Sequence, residues 1–226
     1  MQYIVTKKEM QAIDAYTMDK IGIPSAVLME RAALSVVEEI ERLNVSHGRV
    51  LIVVEGGNNG GDGLAVGRIL LERGYKVDIY YIGGFEKVSQ GFQQQWSILH
   101  HMGVRFRKTI PNKEYAVIVD GIFGVGLSRE VQGVQKKAIE AMNHMDAIKV
   151  AIDIPSGIDA TTGEVLGAAF YADYTVTFGL KKLGMFFLDG IDACGTVICK
   201  PIGFPAQAVA HVKPMIYAYD NSDLDK

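Results

Sequence analysis

The sequence predicts an α/β fold with a mostly parallel central sheet covered by helices on both faces and preceded by two N-terminal helices. Three observations predict it. From residue 49 onward, short continuously apolar segments alternate with helical patterns, which is how strands buried on both faces read. Two helical segments come before the first of those strands. Glycine-rich, polar loops then follow several strands, where a doubly wound sheet binds its ligands.

The elements follow in order. Thr6-Lys7-Lys8-Glu9 is a capping box, and Met10, Ile13, Tyr16 and Thr17 continue from it at helical spacing until Gly22 and Pro24. Ser25 is placed to cap a second helix, with Met29, Ala33, Val36, Val37, Ile40 and Leu43 on one face. Residues 50–54 read as a strand and 62–73 as a helix ended by Gly74. Residues 77–82 are a strand, 89–102 a helix stopped by Gly103, and 104–106 a short strand. Residues 116–119 form a strand, 131–145 a helix and 148–154 another strand, and 174–178 and 196–199 are strands near the C-terminal side. Crossovers between parallel strands are right-handed. No repeat or linker divides the chain, so residues 1–226 are expected to be a single domain; the polar residues 221–226 are expected to fray.

Composition removes several classes of function. The 226 residues, 49% apolar and 22% charged, can bury a large core without disulfide or metal staples. A net charge of −3 with no basic block gives no electrostatic footprint for nucleic acid. No apolar run approaches the ~20 residues of a membrane span, and the first ten residues hold no signal-peptide core. Cys194 and Cys199 lie in a strand-like stretch and read as reduced thiols. A cytoplasmic location fits. His47, His100, His101, His144 and His211 lie outside the polar loops and read as surface or core residues.

Three loops carry the chemistry. The first holds Asn58, Asn59, Gly60, Gly61, Asp62 and Gly63 between a strand and a helix. It is a tight turn in its plainest reading, but a helix N-terminus offers unpaired N–H groups and a positive dipole end to a phosphate. The second runs from Asp120 through Gly124, Val125, Gly126, Leu127, Ser128 and Arg129; its backbone donors, hydroxyl and guanidinium suit a pyrophosphate. The third is Asp153-Ile154-Pro155-Ser156-Gly157, again with an aspartate at a strand end. If the loops converge, Asn59, Asp120 and Ser156 meet as oxygen ligands for one cation. One carboxylate with neutral oxygens suits a weakly hydrated monovalent ion better than zinc, which prefers imidazole or thiolate. After a later strand, Lys181 or Lys182 is placed to reach a phosphate or carboxamide, or else is simply solvated.

Together the motifs Gly56-Gly57-Asn58-Asn59-Gly60-Gly61-Asp62-Gly63, Asp120-Gly121-Ile122-Phe123-Gly124-Val125-Gly126, Asp153-Ile154-Pro155-Ser156-Gly157 and Thr177-Phe178-Gly179-Leu180-Lys181 resemble those of the NAD(P)H-hydrate epimerase family, the YjeF N-terminal domain family. The resemblance spans nearly the whole chain, including Leu28-Met29-Glu30-Arg31-Ala32. It departs at Glu55-Gly56-Gly57, where members often carry cysteine, glycine and proline. It implies a Rossmann-like three-layer α/β sandwich, often a homodimer, that interconverts the R and S forms of NADHX and NADPHX, the dinucleotides hydrated at nicotinamide C6. It implies one potassium ion per subunit at Asn59, Asp120 and Ser156. Substrate contacts are implied at Asn58 to Asp62, at Gly124 to Glu130 and at Asp153. It further implies work alongside an NAD(P)HX dehydratase, fused or separate, so the chain is either a stand-alone epimerase or the front of a longer protein. Asp153 is the expected acid–base residue, with Lys181 or Asp62 as helper. Rival readings lack their motifs: no Gly-x-Gly-x-x-Gly of an ordinary dehydrogenase follows the first strand, and no Gly-x-x-x-x-Gly-Lys-Ser/Thr loop of a kinase occurs. A non-catalytic scaffold would be expected to have lost the site residues.

Overall fold

A computed structural model describes residues 2–45, 48–110 and 112–218. His47 and residues 221–226 lie outside the described residues. A short strand β1 (Gln2–Val5) opens the chain, followed by α1 (Lys7–Tyr16), a π-helical turn at Thr17–Ile21, and α2 (Ser25–Arg42). The capping box forms: the Thr6 side chain accepts from the Glu9 N–H, and the Glu9 carboxylate accepts from the Thr6 N–H at 2.7 Å. Gly22, at φ 86°, ends the helical run in the left-handed conformation that costs glycine least.

The central sheet comprises β2 (Arg49–Val54), β3 (Lys76–Tyr81), β4 (Val117–Gly121), β5 (Ile148–Ile152), β6 (Tyr174–Phe178) and, after the two-residue β7 (Lys181–Lys182), β8 (Thr196–Lys200). Its order is β3-β2-β4-β5-β6-β8 and every neighbouring pair is parallel. Alternate side chains enter different cores, as the period of two demands. Val50, Ile52, Val54, Val117 and Val119 pack with α2, α3 (Asn58–Glu72) and α4 (Gln90–His101). Leu51, Val53, Ile118 and Ala151 pack with Ala138, Ile139 and Met142 of α5 (Gly133–Asn143). Three layers result. The direction of sheet growth reverses between β2 and β4, which makes that carboxyl edge the switch point at which such sheets bind ligands.

A second small sheet has the order β7-β1-β9, where β9 is Ile216–Ala218. Sequence patterning missed these short strands, as it missed α6 (Asp189–Cys194) and α7 (Ala206–Val212). Strands of two to four residues and helices of fewer than two full turns are too short to show a period.

Other boundaries differ for identifiable reasons. Helix α3 starts at Asn58, four residues before the expected 62. Its glycines weaken intrinsic propensity, yet a Cβ at Gly60 would collide with the Glu55 carbonyl, and one at Gly61 would meet the Met29 methyl at 2.6 Å. Close packing thus selects residues that propensity disfavours. Ser25 begins α2 rather than capping it; Pro24 holds the cap position without a side-chain bond. Residues 104–106 form no strand, and only Arg107 bridges to Tyr80 on the β3 edge. Helix α5 spans 133–143, not 131–145, because the Val131 N–H is held by the Leu166 carbonyl at 2.8 Å. Strand β5 stops at Ile152 because Asp153 turns the chain. Cys194 and Cys199 are both free thiols; Cys194 ends α6 rather than lying in a strand. Among the described residues no helix is long and apolar enough to cross a membrane.

Candidate functional site

A cleft of about 510 Å³ opens at the switch point, within the range of small-molecule sites. One wall is the leading helices, which contribute Gln11, Asp14 and Ser25. The others are the start of α3 and the loop that follows β4, with Asp153 and Lys182 also lining the cleft. Lys7 fastens α1 to the loop by donating from Nζ to the Leu127 carbonyl.

No side chain caps α3: Gly57 precedes it in extended conformation. Its first-turn N–H groups therefore face a ligand with the dipole's positive end behind them. Asn58, Asn59 and Asp62 line the cleft from this turn, whereas Gly60 and Gly61 do not and serve the packing described above. Gly124 to Arg129 line it from the other side; Glu130 does not, and instead accepts from the Gln132 side chain at 3.0 Å. Arg129 is exposed at the rim.

Asp120 and Ser156 meet directly. Asp120 is wholly buried. Its Oδ1 accepts from Ser156 Oγ at 2.6 Å and the Ile122 N–H at 3.1 Å, and its Oδ2 accepts from the Ser156 N–H at 2.7 Å. Even so, burial outweighs these bonds and pushes the carboxyl up to about 6 from the usual 3.8. Ionising it at neutral pH therefore costs the fold about 3 kcal/mol. Asn59 reaches the same loop: a Cβ on Gly124 would stand 3.0 Å from its Oδ1. Its Nδ2 is buried without a hydrogen-bond partner, a position that costs roughly 1–3 kcal/mol. The carboxamide ends are interchangeable by a flip, which would aim the oxygen at that spot. Amide, carboxylate and hydroxyl give an oxygen-only donor set.

Asp153 carries strain. Its φ is 68°, and the Ile154 N–H donates to the Ile152 carbonyl at 2.9 Å. Together these define a γ-turn of the rare positive-φ kind, a conformation costing about 1–3 kcal/mol outside glycine. The turn ends β5 and holds the carboxylate where its Oδ1 accepts from Lys182 Nζ and its Oδ2 from the Val125 N–H at 3.4 Å. Lys182, 1% exposed, also donates to Thr177 Oγ1 at 2.7 Å and the Phe178 carbonyl at 3.2 Å.

Two more carboxyls share this field. Burial, then the charges of Asp153 and Asp14, holds Asp62 well above the usual carboxylate range. Asp14 is raised chiefly by burial and by Asp153, with Lys182 opposing. Carboxyls shifted upward by burial and by one another in a single cleft mark candidate functional sites.

The structure thus gathers Asn58, Asn59, Asp62, Asp120, Asp153 and Ser156 with the 124–129 loop. It separates Lys181, whose ammonium lies 6.0 Å from the centre of the Phe186 ring, outside the cleft. Lys182 takes the inward position. Sequence reasoning also missed Asp14, although an acidic residue four positions after Met10, on the apolar side of α1, was a usable signal.

Residues 25–184 match the family described as YjeF-related protein N-terminus. A protein of Leuconostoc citreum (strain KM20), named NAD(P)H-hydrate epimerase, is 42% identical over 200 residues, covering 88% of this chain and 90% of its own. One of the same name from Limosilactobacillus reuteri (strain DSM 20016) is 43% identical over 197 residues, covering 86% and 93%. The crystal structure of yeast ynu0 shares the fold, with a TM-score of 0.77 at 22% identity over 97% of both chains.

Proposed function

The chain belongs to the family of YjeF-related protein N-termini, and from that premise we infer that it is an NAD(P)H-hydrate epimerase, an isomerase that interconverts the R and S forms of hydrated NADH and NADPH. The observation that carries this reading is Asp153, held in a strained turn and ion-paired with Lys182 inside a cleft that also holds Asp62 and Asp14.

The diphosphate lies against the start of α3 and the 124–129 loop, with Arg129 as a charge-assisted partner. That orientation turns the hydrated ring toward Asp153. Epimerisation breaks the C6–O bond: a carboxyl gives a proton to the departing hydroxyl, and the ring nitrogen's electron pair fills the gap. Water then returns to the other face and gives up a proton to a carboxylate. Asp62, whose carboxyl burial and the charges of Asp153 and Asp14 raise, is the candidate for the first role; Asp153, paired with Lys182, is the candidate for the second. Lys182 positions Asp153, the role expected of Lys181.

Potassium fits Asn59, Asp120 and Ser156. The buried orphan amide of Asn59 and the fully buried Asp120, with no cationic side chain among its described hydrogen-bond partners, are the features a monovalent ion would satisfy. When bound it would offset Asp120 and fix the loops around the diphosphate.

A single-domain, cytoplasmic enzyme, homodimeric and working beside an NAD(P)HX dehydratase, completes the reading. Coverage of about nine-tenths of the curated relatives supports the single domain. Chiral chromatography of purified R and S hydrates incubated with the enzyme tests the activity. Failure to interconvert them would remove it.

A further inference from the structure

A second cleft lies beyond the carboxyl end of β3, the open edge strand of the main sheet. Its volume is about 820 Å³ and it shares no lining residue with the first. Tyr80, Trp96 and Phe106 line it together with Arg105, Arg107 and Lys108. Trp96 and Phe106 stack with ring centres 3.4 Å apart and planes 8° from parallel.

Its charge is unbalanced. Asp78, 2% exposed, is the only acid in the ion pairs beneath this cleft among the described residues, and it answers three cations: Arg49 at 3.2 Å, Arg107 at 2.8 Å and Lys113 at 3.0 Å. No ion pair among the described residues engages Arg105 or Lys108, and both are exposed. Between Glu86 and Glu114 the sequence carries Lys87, Arg105, Arg107, Lys108 and Lys113 and no acidic residue. In a chain of net charge −3 this is a local positive field rather than a general one.

We propose that this cleft is a second ligand site, which takes a nucleoside phosphate: an aromatic base against Tyr80 and the Trp96–Phe106 stack, and phosphate oxygens on Arg105, Arg107 and Lys108. Guanidinium groups match phosphate in two-point contacts, and aromatic faces beside cations accept a base by stacking. The confinement of the positive groups to this one cleft, in a chain of net charge −3, favours a small nucleotide over a polyanion. The site stands apart from the epimerase reading, since the two clefts share no lining residue.

Trp96 is the only tryptophan, so the protein carries its own reporter. The full chain is titrated with ADP, adenosine and inorganic pyrophosphate while Trp96 fluorescence is followed. The expected result is a saturable change with ADP, at least tenfold weaker binding of adenosine and of pyrophosphate, and at least tenfold loss of ADP affinity in Arg105→Ala/Lys108→Ala with epimerisation within twofold of the parent. Four results would overturn the proposal. They are no saturable response to ADP, an undiminished response in the double variant, pyrophosphate binding as tightly as ADP, or a response abolished by Asn58→Ala, which would place ADP in the first cleft. A response to short RNA with none to ADP would also reject it in favour of a polyanion surface.

Discussion

Lys182 donates to Asp153 in a largely buried pair on the wall of the cleft, and both sit at the end of neighbouring structure: Asp153 just past β5, Lys182 on β7 after β6. The pair belongs to the fold and to the cleft at once. A buried pair is costly to break because the survivor keeps its charge without a partner. Lys182→Met and Asp153→Asn should each lower unfolding free energy by about 3–5 kcal/mol, and the double variant by clearly less than their sum. Urea unfolding of the four proteins measures the coupling.

Activity should separate from stability in the same series. Asp153→Asn should lower kcat by roughly 10²- to 10⁴-fold, and the double variant should stay inactive even where it regains stability. Lys181→Ala should keep kcat within about twofold, because its side chain stays outside the cleft and surface changes cost little. The chiral assay reads both.

Asp62 should make the fold less stable as pH rises. Its carboxyl is raised in the native state above 3.8, so between those values the native chain holds a proton that the unfolded chain has lost. The penalty is absent below 3.8 and grows until the native carboxyl itself ionises. Asp62→Asn should therefore have a higher Tm than the parent at pH 8, with the difference closing below about pH 4, while epimerisation falls. Thermal scans across pH check the sign.

Replacing choline chloride by potassium chloride at equal ionic strength should raise the parent's Tm by a few degrees, on the order of 1–3 kcal/mol of ligand linkage. Asp120→Asn should abolish the increment. Calorimetry in the two salts reads this without any turnover.

Gly60→Ala should be strongly destabilising, by about 1–3 kcal/mol or more, because the new methyl would strike the Glu55 carbonyl. Gly57→Ala, at φ −81° with open space around it, should be tolerated. Denaturant midpoints compare them.

Patterning found what has length or chemistry. The strands at 50–54 and 174–178 are long enough to show apolar runs, and Thr6-to-Glu9 announced its own helix. The polar loops announced Asn59, Asp120, Asp153 and Ser156, because such groups at strand ends are expensive without a purpose. Two things were hidden. Asn58 to Gly61 look like a turn by propensity, and only the fold shows that Gly60 and Gly61 lie where a side chain would strike Glu55, Met29 or Phe92. Choosing between Lys181 and Lys182 needed the register that sets Val5 beside Lys182, information stored 177 positions away along the chain.

That register also orders events in time. The inward lysine is held by a strand pairing with Gln2–Val5, and that strand pairs on its other side with Ile216–Ala218. A growing polypeptide can close the parallel layers as each helix emerges, but it cannot lock this clasp until translation has passed position 218. Such non-local closures are slow. Catalytic competence should therefore appear only once residues 216–218 have been made, well after most of the core has formed.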